Sequence, residues 1–84
     1  GNAPKGSIGK PTNPYRLIDD DGSDVPVGES GELIFKVDDI RQRKVEYYKN
    51  EKASNARIKD GWFYTGDMLH ADEEGNLYFD DRKT

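Results

Sequence analysis

The run Gly61–Asp67, followed by Arg82 fifteen residues beyond Asp67, holds the side chains best suited to chemistry. It reads Gly-Trp-Phe-Tyr-Thr-Gly-Asp, so a turn, an aromatic strand and a single carboxylate next to a glycine follow one another. Each oxygen of a carboxylate can accept one hydrogen bond, which suits a pair of vicinal hydroxyls. A ribose offers such a pair, and Asp67 is therefore a candidate ligand for a sugar diol.

Other chemically active residues are predicted to be structural. His70 is the only histidine, and the sequence suggests no partner that would make it a general base, so we expect it on a strand surface. The acidic runs Asp19–Asp24 and Asp72–Gly75 do not fit a calcium loop, because aligning their glycines with the EF-hand glycine puts Leu17 or His70 at the first ligand position. Both runs are predicted to be turns, and no metal site is expected.

The composition describes at most one small acidic domain. The chain has 84 residues, of which 32% are hydrophobic and 36% charged, so a core built from it alone is marginal. It has no cysteine, which excludes disulfides and cysteine-based zinc sites. An independent domain and a piece of a larger protein are both open. We favour the piece, because the chain begins in a Gly/Pro-rich stretch and stops just after an apolar-alternating strand.

The charge and hydropathy of the chain exclude two classes of partner. Its net charge is −4, whereas a nucleic-acid binder needs an excess of Lys and Arg for the phosphates. No stretch approaches the roughly 18–20 apolar residues of a membrane span. We therefore expect no nucleic acid, no membrane span and a cytoplasmic location, which fits the lack of cysteine.

The apolar pattern predicts a mainly β fold with short strands and tight turns. A short helix is expected from Asn50, which can cap it, through Arg57. Trp62 and Tyr64 share one face of a strand, and we predict both to be core residues, since large aromatics in a small β module usually pack inside. The predicted strands are Tyr15–Ile18, Glu32–Val37, Trp62–Tyr64 and a hairpin of Met68–Ala71 with Asn76–Asp80.

Five motifs of this chain resemble the adenylate-forming superfamily, since they occur in the family's order and at close to the family's spacing. This family includes acyl-CoA synthetases, firefly luciferase and the adenylation domains of peptide synthetases. Within it, the sequences of the motifs are most similar to those of acyl-CoA ligases of the fatty-acid and carnitine/crotonobetaine type. The resemblance covers nearly the whole chain. The motifs are Gly6–Pro11, Val27–Leu33, Tyr47–Asn50, Asp60–Asp67 and Asp81–Lys83.

The resemblance implies the domain organisation. In such enzymes a large N-terminal domain forms an acyl-adenylate from ATP and a carboxylic acid, a small C-terminal lid domain rotates, and coenzyme A takes the acyl group. Residues 1–84 would be a single fragment, a small antiparallel β-barrel-like subdomain with one short helix at the end of the large domain. Residues 1–14 would be its entry segment and residues 82–84 the start of the interdomain hinge.

The resemblance also implies ligands and partners. ATP, Mg²⁺ and coenzyme A would serve the parent enzyme, with none of them bound tightly by the fragment. Its partners would be the remainder of the large domain, the lid domain and a carboxylic acid such as a fatty acid.

The resemblance assigns roles to four residues. Asp67 would hold the ribose hydroxyls of ATP, and Arg82 would also contact the ribose, since a guanidinium donates to hydroxyl oxygen and stays charged. Lys83 and Thr84 would fall in the hinge, which must absorb a large backbone change at an element's end.

The chain departs from the family in a variable loop. Most relatives carry a glycine where this chain has Glu46 and another where it has Val37, and Pro-Glu where it has Glu51-Lys52. These departures affect the expected loop conformation more than the nucleotide contacts.

The family's phosphate-binding loop, its adenine and magnesium segment and its catalytic lysine do not occur in these 84 residues. Acyl transfer needs charge stabilisation at the α-phosphate, so we expect no catalytic residue here and predict that the isolated fragment is inactive. One alternative is a freestanding acidic β module that binds a protein partner through an edge strand. Another is a luciferase-like or peptide-synthetase adenylation domain, which shares the nucleotide site.

Overall fold

A computed structural model describes residues 3–37 and 57–83. These residues form one six-stranded antiparallel sheet in the order β1-β6-β5-β3-β2, with β4 paired to β5. The mainly β prediction is confirmed, whereas the sheet is open, so "barrel-like" describes it only loosely. The strands are β1 (Ser7–Gly9), β2 (Tyr15–Ile18), β3 (Gly31–Lys36), β4 (Ile58–Lys59), β5 (Trp62–Ala71) and β6 (Leu77–Arg82).

The helix predicted from Asn50 lies outside the described residues except for its last residue, Arg57. Positions 46, 51 and 52, where the sequence departs from the family, also lie outside the described residues. Within residues 3–37 and 57–83, no helix is long and apolar enough to cross a membrane.

One face of the sheet forms the hydrophobic core. Phe63 on β5 lies opposite Phe35 on β3, and both are buried with Leu33, Leu69 and Leu77. Because side chains alternate along a strand, the neighbours of Phe63 point to the other face.

The prediction that Trp62 and Tyr64 are core residues is wrong. Both are half-buried on the outer face, where cations cover them. Arg16 and Lys36 lie 5.8 and 5.4 Å from the Trp62 ring centre, and Lys59 lies 4.9 Å from that of Tyr64. An ammonium or guanidinium is attracted to the face of an aromatic ring, which explains why partly exposed aromatics are tolerated here.

Both acidic runs are turns, as predicted. The Asp19 carboxylate accepts the backbone N–H groups of Asp21 and Ser23, both at 2.9 Å. Asp72 likewise accepts those of Glu74 and Asn76, at 3.0 and 2.9 Å. The second turn joins β5 to β6, which confirms the predicted hairpin.

Candidate functional site

The middle of β5 carries an irregularity that positions the candidate carboxylate. The pairing of β3 with β5 shifts register here, so that the three residues Thr65–Asp67 lie opposite Leu33 alone. Gly66 has a φ of 78°, a conformation that glycine adopts without strain. The result is a bulge with two extra residues on β5. The buried positions keep their alternation through it, so Thr65 and Asp67 lie on the same buried side as Phe63.

Thr65 replaces backbone pairing within the bulge. Its side-chain hydroxyl donates to the Leu33 carbonyl over 2.7 Å and accepts the N–H of Asp67 over 3.1 Å. The Thr65 side chain is 2% exposed, so these bonds form in a region where an unmet polar group is costly. This hydroxyl therefore ties the backbone of Asp67 to β3.

Three further elements hold the bulge. The N–H of Gly66 donates to the Glu32 carboxylate over 3.0 Å, and its carbonyl accepts the Lys83 N–H over 2.7 Å. The Arg57 guanidinium, just before β4, donates to the Thr65 carbonyl over 2.8 Å. Strand β3, the residue after β6 and the residue before β4 thus converge on the main chain of the bulge.

Asp67 and Arg82 lie opposite each other on β5 and β6. Arg82 Nη1 is 3.2 Å from Asp67 Oδ1. The Asp67 side chain is 2% exposed and that of Arg82 is 49% exposed, so the guanidinium lies between a buried carboxylate and solvent. A buried carboxylate requires a compensating charge, which Arg82 supplies. The pair presents hydrogen-bond acceptors and donors side by side, as recognition of a hydroxyl-rich ligand requires.

The predicted hinge residues are placed in part. Lys83 directly follows β6, and its ammonium lies 2.8 Å from the Asp20 carboxylate in the turn after β2. This hydrogen bond and the attraction between the charges lower the pKa of Asp20 and raise the pKa of Lys83. Thr84 lies outside the described residues. The structure therefore brings Asp67 and Arg82 together and places Lys83 beside them.

The sequence reasoning missed the groups that support the bulge, namely Thr65, Glu32 and Arg57. Thr65 adjoins the glycine, which is a weak signal for a bulge. Glu32 and Arg57 gave none, since their contacts depend on how β3 and β4 pair with β5.

His70 has a partner that the sequence did not suggest. Its Nδ1 lies 2.9 and 3.0 Å from the two carboxylate oxygens of Asp80, and its ring stacks on Tyr78 with ring centres 5.1 Å apart. The Ser30 hydroxyl donates to the same carboxylate. The aspartate thus lies between serine and histidine, which is not the order that activates a serine nucleophile. Among the described residues, no three His, Asp or Glu side chains converge as metal ligands.

No protein-family model matches the chain. Individual proteins do match it over nearly its whole length, and several CoA ligases are among them. It is 42% identical over 80 residues to the indoleacetate–CoA ligase of Aromatoleum aromaticum, covering 93% of this chain and 15% of the ligase. It is 41% identical over 80 residues to a long-chain-fatty-acid–CoA ligase of Escherichia coli, covering 93% of this chain and 14% of that protein.

A solved structure matches the fold as well. The O-succinylbenzoate coenzyme A synthetase of Bacillus subtilis, in complex with ATP and magnesium ion, superimposes with a TM-score of 0.64 and 32% identity over 93% of this chain and 16% of the synthetase. The chain belongs to the adenylate-forming, AMP-binding superfamily. Within it, its relatives are the CoA ligases, of whose length it spans about one seventh.

Proposed function

We propose that this chain is a segment of an AMP-forming acyl-CoA ligase and that it contributes the ribose-binding part of the ATP site. The reaction of the whole enzyme converts a carboxylic acid, ATP and coenzyme A into acyl-CoA, AMP and pyrophosphate. The observation that carries the proposal is the Asp67–Arg82 pair, with 3.2 Å between the two charged groups at a bulge of β5.

The chemistry of this pair suits a ribose. The two oxygens of Asp67 can accept one hydrogen bond from each vicinal hydroxyl, and the Arg82 guanidinium can donate to a hydroxyl oxygen. Because the Asp67 side chain is 2% exposed, a ribose gains access only when the half-exposed Arg82 shifts. Arg82 therefore both covers the carboxylate and makes the second contact with the sugar.

The remaining roles follow from the same proposal. Residues 1–14 serve as an entry segment, and residues 82–84, with Lys83 and Thr84, begin the hinge to the lid domain. Mg²⁺ and coenzyme A act elsewhere in the enzyme, together with the rest of the large domain. We assign the acid substrate only as a carboxylic acid, because indoleacetate, long-chain fatty acids and O-succinylbenzoate all occur in the relatives' names. The enzyme acts in the cytoplasm.

Pyrophosphate release tests the proposal. The full-length protein should release pyrophosphate from ATP and magnesium only when a carboxylic acid is added, and Asp67→Ala should reduce kcat/KM for ATP by at least about tenfold. Asp21→Ala, which removes an exposed carboxylate in the turn after β2, is the matched control and should leave the rate unchanged. Full activity of a folded Asp67→Ala protein would overturn the assignment.

The isolated 84-residue chain should release no pyrophosphate from ATP, magnesium and a fatty acid. Its sequence lacks the family's phosphate-binding loop and catalytic lysine, so it supplies no recognised group for charge developing at the α-phosphate. Release by the purified chain would contradict this part of the proposal.

A further inference from the structure

The Arg57 side chain lies across the main chain that leads into Asp67. Its Nη1 donates to the Thr65 carbonyl over 2.8 Å and, at the longer distance of 3.4 Å, to the Tyr64 carbonyl. The same nitrogen is 3.2 Å from the point where a Cβ on Gly66 would stand. The missing side chain of Gly66 therefore leaves the space that the guanidinium uses.

These contacts take the place of regular sheet pairing. The bulge removes Thr65–Asp67 from the ordinary ladder with β3, and buried backbone carbonyls need a donor from elsewhere. Gly66 is held on its N–H by Glu32 and on its carbonyl by the N–H of Lys83. Arg57 holds the carbonyl of the residue before it, and a charged donor makes a stronger bond than a neutral one.

We propose that Arg57 is a positioning residue for the carboxylate of Asp67. By holding the Thr65 and Tyr64 carbonyls it fixes the bulge, and the bulge fixes the direction of Asp67. A carboxylate that accepts from two hydroxyls at once must be held within a fraction of an ångström, so a looser bulge weakens recognition of the ribose diol. This inference rests on the proposed function, since it concerns the same sugar site.

The test compares ATP with 2′-deoxyATP, which lacks one of the two hydroxyls. In the full-length ligase, kcat/KM should favour ATP, because Asp67 reads both hydroxyls. Arg57→Ala should reduce this preference by about tenfold, the factor that corresponds to one hydrogen bond to a charged group at the low end of its range, with the change in KM rather than kcat. Arg57→Lys, which keeps a charged donor without the guanidinium fork, should restore part of the preference.

A merely structural role gives a different result. Loss of folded protein lowers the rates with both nucleotides equally and leaves their ratio unchanged. Lys59→Ala is the matched control, since Lys59 is an exposed cation on β4 that lies over Tyr64, and this variant should keep the wild-type ratio.

Three outcomes separate the possibilities. A reduced preference in Arg57→Ala, with Lys59→Ala unchanged, supports the inference. A wild-type ratio in Arg57→Ala overturns it while leaving the proposed function intact. Equal use of both nucleotides by the wild-type enzyme overturns the proposed function itself, and this inference with it. Where Arg57→Ala fails to fold, Arg57→Met keeps the aliphatic stem without the donors, and the same outcomes apply.

Discussion

Asp67 on β5 faces Arg82 on β6, and the half-exposed guanidinium of Arg82 lies 3.2 Å from the almost fully buried carboxylate. The two residues are fifteen apart in the sequence, and the hairpin between the strands brings them together. A slip of one residue in this pairing would move one side chain to the opposite face of the sheet. The register of the hairpin is therefore a condition for the site.

Gly66→Ala should weaken ATP use although residue 66 is not a proposed ligand. Alanine at this position would have to adopt a left-handed backbone conformation, which costs roughly 1–2 kcal/mol. Its Cβ would stand 3.2 Å from Arg57 Nη1. The guanidinium must then shift by a few tenths of an ångström, which strains its hydrogen bond to the Thr65 carbonyl and loosens the bulge. The measurement is KM for ATP in the full-length enzyme.

Gly75→Ala is the control for Gly66→Ala. Gly75 has a φ of 90° with no atom within 4 Å of an added Cβ, so alanine there introduces backbone strain without displacing a neighbour. Both variants should lose similar stability, and only Gly66→Ala should raise KM for ATP. An equal KM in the two variants would show that the space beside Arg57 is unimportant.

Thr65→Val should destabilise the fold and disturb the site. Valine keeps the shape but removes the hydroxyl that bonds the Leu33 carbonyl and the Asp67 N–H. An unmet buried polar group costs about 1–3 kcal/mol, so the free energy of unfolding in denaturant should fall by that amount. Thr65→Ser retains the hydroxyl and should lose less. Equal stability of the valine and wild-type proteins would contradict the role of this hydroxyl.

Lys83→Met should change how Asp20 titrates. The pair with Lys83 lowers the pKa of Asp20 below its ordinary value of 3.8, so its contribution to stability is present above that pH and is lost as pH falls through the folded-state pKa. The pKa of Lys83 is raised above 10.5, so on the alkaline side the contribution is lost only as pH rises beyond that value. Between these limits the pair should not respond to pH.

An NMR titration of isotope-labelled aspartate measures this effect. In Lys83→Met the pKa of Asp20 should rise towards its ordinary value, whereas Lys10→Met, which removes another exposed lysine, should leave it unchanged. Coincident Asp20 titration curves for Lys83→Met and wild type would contradict the ion pair between Lys83 and Asp20.

Local patterns predicted the strands and turns because their causes are local. Apolar alternation marked Tyr15–Ile18 and Glu32–Val37, and Asp-Gly chemistry or short acidic runs marked the turns. The outward position of Trp62 and Tyr64 was not predictable in this way. Which face of β5 points inward is set by the pairing of Phe63 with Phe35 on a distant strand, together with cations that cover the outer aromatics.

The candidate site was predictable only in part for the same reason. A carboxylate after a glycine indicated Asp67, and the family resemblance added Arg82. The bulge that holds the main chain at Asp67 arises from a register shift between β3 and β5, and the contacts of Glu32 and Arg57 accompany that shift. Spacing within one segment carries no information on such pairing.

The affinity of the full-length protein for AMP tests most directly whether Asp67 binds the ribose. Calorimetry should compare the wild-type protein with Asp67→Asn, which keeps the size of the side chain but has one acceptor oxygen instead of two. The substitution should weaken AMP binding by at least about tenfold, as expected for the loss of a hydrogen bond to a charged group. An unchanged AMP affinity in a folded Asp67→Asn protein would contradict the ribose assignment.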